Sequence, residues 1–404
     1  MRDAKHRAEA RVRSGADSLV ALSRRIHARP ELGFEEIEAS AWISAALEQA
    51  GFHVERSVFG LPTAFIARSG KGPLHLAICA EYDALPEIGH ACGHNLIAAI
   101  AVGAGGALRE LVDELGITLT VLGTPAEELG NGKALLLERG AFEGVHAAMM
   151  VHPAPLDVLE PPLLAFAQFD VEYQGREADA FDPAEPGISA ADALTVAQVA
   201  VGLLRAELRQ TDRVHGVVTH AGTAPGAISA RASATYMVRT ERLAELRALR
   251  DRVRRCFEAG ALATGADLRI VEAHDPYADM RHDRALAAVY ARNAEALGRV
   301  FPDLGQLLER GTGSSDMGNV SQVVPAIHPA IGIESFPAVN HQPEFTAHCV
   351  TPAAERALVD GAIALAWTIV DTAADEPIRR RLLRAAENPS GLGKEPDHER
   401  HPKR

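Results

Sequence analysis

Three short, mostly apolar runs limit the folds open to this chain more than any other feature of its sequence. They are LHLAICA (residues 74–80), ITLTVLG (117–123) and HAAMMV (146–151). Runs of this kind are typical of strands covered on both faces. The segments between them, LIAAIAVGAGGALRELVDEL and ALLLERGAF, have helical patterns. This alternation predicts an α/β domain whose helices flank a mixed, largely parallel sheet.

The pattern changes near residue 164. Strand-like and helical segments now follow each other in the order β-α-β-β-α-β, from AFAQFDVEYQG to ADLRIVEAH. This order is the ferredoxin-like arrangement of a small α+β domain. We therefore expect residues 1–163 and 281–375 to form one domain, with residues 164–280 inserted in it as a second. Residues 376–404 end in a polar stretch rich in Gly and Pro, which predicts a disordered tail.

Charge and composition narrow the possible partners. The chain has 404 residues, 47% of them hydrophobic, which is enough for two sizeable cores. Lys and Arg total 41 against 54 Asp and Glu, and the formal charge of -13 disfavours a nucleic-acid partner. We find no signal-peptide pattern and no uninterrupted apolar stretch of transmembrane length. We expect a cytoplasmic protein that binds no membrane and acts on a small molecule.

Residues able to bind a metal follow each predicted strand of the first domain. They are Glu81, Asp83, Cys92 and His94 after the first run, Glu127 and Glu128 after the second, His152 after the third, and His341 after a later apolar run. Ligands of open parallel sheets bind beyond the carboxyl ends of the strands, so we expect these side chains to converge on one crevice. Cysteine, histidine and glutamate together suit zinc, and carboxylates also suit manganese.

The candidate ligands are more numerous than one ion needs. The five strongest are Cys92, His94, Glu128, His152 and His341. Five ligands favour two divalent ions, zinc or manganese, about 3.5–4 Å apart with a shared ligand. The thiolate of Cys92 could be that shared ligand. Glu127 and Asp83 are then not needed as metal ligands.

Each candidate taken alone has a simpler explanation. A histidine after an apolar strand is usually a core or surface residue, and adjacent glutamates often begin a helix because the helix dipole favours acid there. We assign structural roles to His27, His90 and His328. The pair Cys92 and His94, set between glycines, is harder to explain without a metal. A purely structural zinc site is disfavoured because such sites close at four ligands and need no spare base.

Six segments together resemble a known family. They are CAEYDALPEIGHACGHN, GTPAEELGNGK, MMVHP, RVHGVVT, GSSDMGNVSQVVPAIHP and NHQPEF, within roughly residues 15–375. The chain is similar to the metal-dependent amidohydrolases and carboxypeptidases that include aminoacylases, plant auxin-conjugate hydrolases and the p-aminobenzoyl-glutamate hydrolase B subunit. The resemblance implies a zinc-exopeptidase-like catalytic domain with two metal ions, an inserted lid and dimerisation domain, and a homodimer.

The resemblance also implies a role for each candidate residue. The implied ligands are Cys92 as the bridge, with His94, Glu128, His152 and His341. Glu127 resembles the general base, and Asp83 resembles the acid that orients a ligand. The implied reaction is hydrolysis of a C–N bond, most simply the amide of an N-acyl or N-aroyl amino acid or of a dipeptide. Two ions lower the pKa of a bound water, and Glu127 accepts its proton and later returns one to the leaving amine.

The inserted domain departs from the family at the position of its oxyanion donor. Relatives have a histidine in a G-[KR]-x-[AS]-H-A segment, whereas this chain reads GREADAFD, with Asp179 in its place. A carboxylate would repel an oxyanion, so amide hydrolysis should suffer unless His215 or His220 replaces the donor. An acidic residue there could instead recognise an amine or a leaving ammonia.

A second departure concerns the substrate's carboxylate. Relatives commonly carry A-P-N-x-I-P where this chain reads APGAISA, so Gly226 and Ser229 replace an amide and a proline that help to hold that group. Arg239 is retained, and it is either an anion clamp or a solvated strand residue. The departures leave two other functions open. One is hydrolytic deamination of an aromatic amine such as a nitroanthranilate, as in a side branch of the family, and the other is metal binding without catalysis.

Overall fold

The computed structural model describes residues 1–181, 186–305 and 313–387, except the side chains of residues 129, 386 and 387. The chain folds into two compact units. The first comprises Met1–Glu160, Arg281–Pro302 and Val320–Arg404, and the second comprises Pro161–Met280 and Asp303–Asn319. We expected boundaries after residues 163 and 280, and the units divide after 160 and 280.

One segment lies in a different unit from the one that the sequence pattern predicts. Asp303–Asn319 falls in the second unit, not in the first. The backbone oxygen of Gly313 accepts the Leu164 N–H at 2.8 Å, and Asn319 Oδ1 accepts the Ala278 N–H at 2.9 Å. These partners are far apart in the sequence, so no local pattern reveals the pairing.

The helices and strands follow one another along three parts of the chain. The first part holds α1 (Arg2–Ser14), α2 (Ala16–His27), α3 (Ile37–Gln49), β1 (His53–Arg56), β2 (Phe65–Ser69), β3 (Leu74–Ala80), α4 (His94–Leu108), β4 (Ile117–Gly123), α5 (Glu127–Gly130), α6 (Gly132–Glu138), β5 (Ala147–Met149) and β6 (His152–Ala154). The middle part holds β7 (Ala165–Gln174), β8 (Ala178–Asp179), α7 (Ala190–Leu204), a 3₁₀ turn (Arg205–Glu207), β9 (Arg213–His220), β10 (Ala227–Ile228), β11 (Arg231–Thr240), α8 (Leu243–Thr264) and β12 (Asp267–Glu272). The last part holds α9 (Arg284–Ala296), α10 (Met317–Ser321), β13 (Ala326–Ile327), β14 (Ala330–Gly332), α11 (Pro343–His348), α12 (Pro352–Ala374) and α13 (Glu376–Glu387).

The main sheet of the first unit is mixed and largely parallel, as the sequence predicts. Its strand order is β1-β2-β4-β3-β5-β13. β3 pairs in parallel with β4 and β5, and β5 pairs in parallel with β13, whereas β1, β2 and β4 form antiparallel pairs. The carboxyl ends of the parallel strands therefore lie at one edge, which brings together the segments that follow them.

The predicted strand at 146–151 is confirmed as β5, but it is shorter than predicted. β5 ends at Met149, and β6 begins at His152 and pairs with β14 in a separate ladder. The N–H of His152 donates to the backbone oxygen of Pro329 at 2.9 Å. The break depends on a partner much later in the chain, so the apolar run itself does not show it.

Glycines let α4 lie deep in the first unit, where it packs on α2 and α12. A Cβ at Gly103 would lie 2.8 Å from Leu19 Cδ1, and a Cβ at Gly105 would lie 2.7 Å from Val121 Cγ2. Real Cβ atoms do not approach so closely, so a side chain at either position would force its neighbour to shift. The close packing fixes the amino end of α4 at the edge of the sheet.

α12 is long and apolar enough to cross a membrane on length and composition alone. Most of it is buried inside the first unit, where Ile363, Leu365 and Val370 are fully enclosed. It packs against α1, α4 and α9. The core helix of a globular protein passes the same test of length and composition.

The second unit has the predicted α+β topology. Its sheet has the order β12-β7-β11-β9, and every pair in it is antiparallel. With α7 and α8 this is the ferredoxin-like succession. The unit has its own core, in which the Tyr236 and Phe257 rings meet edge to face at 4.9 Å and the Tyr173 hydroxyl donates to the Phe257 oxygen at 2.7 Å.

The predicted disordered tail is wrong for residues 376–387, which form α13. The Asp375 carboxylate accepts the Ile378 N–H at 3.0 Å at the start of this helix. The Arg379 guanidinium donates to backbone oxygens of Leu115 and Gly116, at 3.1 and 2.8 Å. Specific arginine contacts, which polar composition does not reveal, thus hold the helix on the first unit. Residues 388–404 of the predicted tail lie outside the described residues.

Candidate metal centre

The site lies at the carboxyl edge of the main sheet, and its members come from five segments of the first unit. Glu81 and Asp83 follow β3, Cys92 and His94 lie at the amino end of α4, Glu127 and Glu128 begin α5, His152 begins β6, and His341 precedes α11. The backbone is unusual at these points. Ala126 and His341 have positive φ values of 57° and 67°. Non-glycine residues keep this conformation only where the surroundings enforce it.

The contacts around Ala126 show how it is enforced. The buried carboxylate of Glu36 accepts the Ala126 N–H at 2.8 Å, and Gly130 N–H donates to the Ala126 oxygen at 3.1 Å. A Cβ at Gly33 would lie 2.9 Å from the Ala126 Cβ. These contacts fix the turn that delivers Glu127 and Glu128 to the edge of the sheet.

Two triads of potential ligands share Cys92. The first is Cys92, His94 and His152, and the second is Cys92, Glu128 and His341, with the donor atoms of each triad within 4.8 Å of one another. The Cys92 sulfur lies 3.5 Å from the Nε2 atoms of both His152 and His341. His341 Nε2 lies 3.4 Å from Glu128 Oε2. The five residues that the sequence singles out as candidate ligands therefore do come together.

Neighbouring acceptors orient the buried imidazole of His94 and the partly buried imidazole of His152. Asp83 Oδ1 lies 2.9 Å from His94 Nδ1, and the backbone oxygen of Pro153 lies 2.7 Å from His152 Nδ1. Each contact places a proton on Nδ1 and leaves Nε2 free to bind a metal. Asp83 also accepts the Glu128 N–H at 2.9 Å through Oδ2. One carboxylate thus sets the orientation of a member of each triad.

The residues present fit a metal ion. His94 Nε2 and Glu128 Oε1 are buried and have no hydrogen-bond partner among the described residues. Buried polar atoms normally have partners, and leaving them without one costs free energy. A cation would satisfy both atoms, and the set of thiol, imidazole and carboxylate donors suits zinc.

The electrostatics of two candidate ligands, Cys92 and Glu128, also suit a cation. Burial raises the pKa of the Cys92 thiol well above its ordinary value, and burial raises the pKa of Glu128 to about 7. Burial lowers the pKa of His152 to about 4. Burial also opposes protonation of His94, but the neighbouring Asp83 carboxylate raises the pKa of His94 well above its ordinary value. The Cys92 thiol and the Glu128 carboxyl group therefore resist ionisation, and a bound cation would reverse this for both.

Glu127 lies beside both triads. It is 6% exposed, and its Oε2 is 3.9 Å from His94 Nε2. Glu127, His94 and Glu128 form a further group of donors within 4.8 Å of one another. The structure thus places a second carboxylate next to the candidate ligands.

The candidate substrate-binding residues lie in the second unit. Asp179 is exposed on β8, opposite Ala227 of β10, and its Oδ1 accepts the Phe181 N–H at 2.9 Å. Gly226 lies next to this ladder, and its oxygen accepts the Ala180 N–H at 3.0 Å.

The other candidates in this unit lie elsewhere. His215 and His220 are exposed on β9, and the Ser229 hydroxyl donates to the Arg231 oxygen at 2.7 Å. Arg239 is partly buried on β11, with its guanidinium 5.1 Å from the centre of the Phe166 ring. Burial lowers the pKa of Arg239, and its Nε has no hydrogen-bond partner among the described residues. Arg239 is therefore partly enclosed and not fully solvated.

Sequence reasoning missed three neighbours of the site. Lys133 is fully buried and donates to Glu81 Oε1 at 2.5 Å. Asn340 Nδ2 lies 3.8 Å from the Cys92 sulfur, and the ring of His328 stacks on that of His152 at 5.2 Å. The position of His328 directly after β13 could have revealed it, because that strand also belongs to the parallel part of the sheet. Lys133 and Asn340 lie within two of the segments that carry the family resemblance, but their residue types alone do not indicate a role in the site.

The chain is similar in sequence and fold to several known proteins. The model of peptidase family M20/M25/M40 matches residues 77–364. Xaa-Arg dipeptidase from Mus musculus is 38% identical over 382 residues, which cover 91% of this chain and 88% of that protein. The B subunit of p-aminobenzoyl-glutamate hydrolase from Escherichia coli K12 is 33% identical over 256 residues, 58% of this chain and 53% of that protein. The crystal structure of a dinuclear metal-binding peptidase of the M20 family from Bacillus subtilis matches with a TM-score of 0.66 and 24% identity, over 90% of this chain and 99% of its own.

Proposed function

The chain belongs to peptidase family M20/M25/M40, a family of metal-dependent hydrolases, and we propose that it hydrolyses the amide of an N-acyl or N-aroyl amino acid or of a dipeptide. The observation that carries the proposal is the pair of triads sharing Cys92. One triad alone would also suit a structural ion. Two triads with a common ligand and an adjacent spare carboxylate favour a hydrolytic centre.

We assign two divalent ions, zinc or manganese, to this centre. Cys92, His94 and His152 would hold one ion, and Cys92, Glu128 and His341 would hold the other. When bound, such ions lower the pKa of a water molecule and polarise the carbonyl of the substrate. Burial of Cys92 and His94 supports this assignment, because charges act more strongly where water is excluded.

Glu127 is the proposed general base. Its carboxylate lies beside both triads and is not required as a ligand in either. It can accept the proton of the attacking water and then donate it to the leaving amine. Asp83 is the proposed positioning residue, since it holds His94 through Nδ1 and Glu128 through its backbone N–H.

The second unit is proposed to bind the rest of the substrate. Arg239 is the proposed anion clamp, because its guanidinium is partly buried and its Nε lacks a partner among the described residues. A carboxylate is the natural partner of a desolvated guanidinium. His215 and His220 are exposed and remain the candidates for the oxyanion donor that Asp179 cannot be. Gly226, beside Asp179, leaves room where relatives carry an amide.

We also propose that the protein is a homodimer assembled through the second unit. β9 is an edge strand of its sheet, and it exposes Val217 by 62% and Val218 by 39%. α7 of the same unit exposes Val199 by 60% and Leu203 by 71%. Exposed apolar residues on an edge strand favour pairing with another chain. Light scattering after size-exclusion chromatography would test this, and we expect Val217→Lys to yield the monomer.

The function is tested by offering zinc- or manganese-loaded protein N-acyl amino acids, dipeptides and aminoaromatic acids, and by following amine and ammonia separately. Dipeptides ending in a basic residue come first, because the mouse relative is an Xaa-Arg dipeptidase. Release of amine with a carboxylic acid would support the proposal. Ammonia from an aminoaromatic acid would overturn it in favour of the deaminase, which the exposed Asp179 carboxylate specifically favours. Metal binding without turnover of any substrate would favour a non-catalytic protein.

A further inference from the structure

A fully buried ion pair lies beside the two triads and belongs to neither. Glu81 and Lys133 are both 0% exposed, and Lys133 Nζ donates to Glu81 Oε1 at 2.5 Å. Glu81 directly follows β3, and Lys133 lies in the first turn of α6. Burying two charges has a large desolvation cost, so stabilisation of the fold is a poor explanation for this ion pair. A role in the site is the better explanation.

The second oxygen of Glu81 indicates that role. Oε2 is buried without a hydrogen-bond partner among the described residues, and it lies 3.4 Å from His94 Nε2, which also lacks one there. This separation is long for a hydrogen bond. Two donor atoms on one tetrahedral zinc ion are about 3.3–3.6 Å apart, because Zn–N and Zn–O bonds are about 2.0–2.2 Å long.

We propose that Glu81 is a further ligand of the ion held by His94, and that Lys133 is the counter-ion that fixes its carboxylate. The inference rests on the proposed metal centre and deepens it. Glu81 would approach the ion from the side of His94, and it also forms a group of potential donors with Glu127 and Asp316. It would add a fourth protein donor to Cys92, His94 and His152, the number at which a zinc site closes. The ion at Cys92, Glu128 and His341 then has three protein donors and keeps a position for water. The two ions would therefore have different duties.

The first measurement is the zinc content and zinc affinity of Glu81→Gln, determined by competition with a chromogenic chelator. We expect one ion to be retained with unchanged affinity and the other to be weakened by at least about 10- to 100-fold, the loss typical of removing even an outer partner of a ligand. Retention of both ions at the affinity of the unmodified chain would overturn the proposal.

A control is Asp279→Asn. Asp279 is also a buried carboxylate, 8% exposed, and its Oδ1 accepts the Leu243 N–H at 2.9 Å. It lies in the second unit and belongs to none of the groups of potential metal donors found among the described residues. We expect this variant to bind both ions with the affinity of the unmodified chain. An equal loss in both variants would show that the loss of any buried carboxylate weakens binding, which would overturn a ligand role for Glu81.

A double variant separates a ligand from a simple counter-ion. In Glu81→Gln, the Lys133 ammonium loses the Glu81 carboxylate, and its positive charge alone could repel a cation. Glu81→Gln with Lys133→Met removes both charges and also protects the fold against an unbalanced buried ion. If Glu81 is a ligand, zinc binding in the double variant stays weak. Recovery of the affinity of the unmodified chain would overturn the proposal, whereas an unmodified chain that holds fewer than two ions would instead overturn the proposed metal centre.

Discussion

At the scale of single residues, the turn at Ala126 gives two adjacent glutamates different surroundings. The positive φ of Ala126 and its bond to the buried Glu36 carboxylate direct the start of α5. Glu128 then joins His341 and Cys92, while Glu127 remains beside the triads. Sequence alone could nominate both residues, but it could assign their separate roles only by resemblance, because that division depends on this turn.

Glu127→Gln should abolish turnover without removing metal. The amide cannot accept the proton of water, and general-base catalysis contributes about 10²- to 10⁴-fold. We expect kcat to fall by about that factor while the metal content, measured by elemental analysis, stays at the level of the unmodified chain. Glu128→Gln is the matched comparison, because it should lose metal as well as turnover. Normal turnover in Glu127→Gln would remove this residue from the mechanism.

Asp179→His should increase amide hydrolysis. It replaces an exposed carboxylate, which repels an oxyanion, with a potential donor, and one such donor is worth about 10²- to 10³-fold in kcat. We expect kcat on N-acyl amino acids to rise at least tenfold, toward that range. Asp251→His, at an exposed position of α8, is the control and should leave kcat unchanged. A fall in turnover on replacing Asp179 would show that its carboxylate serves the natural reaction, as the deaminase alternative requires.

At the scale of elements, continuous apolar runs and alternating runs were enough to predict β3, β4 and the whole succession of the second unit. Two elements could not be predicted from the sequence, for the same physical reason. β6 forms by pairing with β14, and α13 is held by Arg379 on the backbone oxygens of Leu115 and Gly116. Partners distant in the sequence decide both, so neither composition nor periodicity reveals them.

β3 should make the first unit sensitive to acid through His75. Its Nε2 lies 2.7 Å from Thr120 Oγ1, and burial, aided by His146, lowers the pKa of His75 to about 4. The unfolded chain has a pKa of about 6.5 at this group, so it binds the proton first as the pH falls. As far as His75 contributes, the free energy of unfolding is therefore highest above about pH 6.5, and it decreases as the pH falls from about 6.5 to 4.

Urea unfolding at pH 7 and pH 5 would measure this loss. His75→Gln should remove at most about 2 kcal/mol of the decrease in unfolding free energy between these values. His53→Gln, on β1 and exposed, should leave the decrease unchanged. An equal decrease in all three proteins would contradict the prediction.

At the scale of the whole molecule, the sequence located the site but not its electrostatic setting. The ends of the apolar runs identified the five candidate ligands, because the carboxyl ends of parallel strands meet at one edge. The burial of Lys133 against Glu81 was not predictable, since a lysine in a polar segment is usually solvated. Its burial depends on β3 and α6 meeting in the folded chain.

Metal should stabilise the first unit and not the second. Both triads lie within the first unit, and each unit has its own core. A ligand at a hundred times its dissociation constant adds about 2.7 kcal/mol to stability. We expect hydrogen exchange, followed by mass spectrometry, to slow in β3, α4 and β5 on addition of zinc and to remain unchanged in β7 and β11. Equal protection of both units would contradict this, and Cys92→Ala should abolish the effect.

Because both triads share one sulfur atom, oxidation of that atom would affect both metal sites. Cys92 is 7% exposed, so an oxidant that enters the crevice can reach it. Conversion of that sulfur to a sulfinic acid is in general irreversible and would remove a ligand from both ions at once. Stored samples should therefore contain intact and fully inactivated molecules in changing proportion, instead of molecules that have each lost half of their capacity.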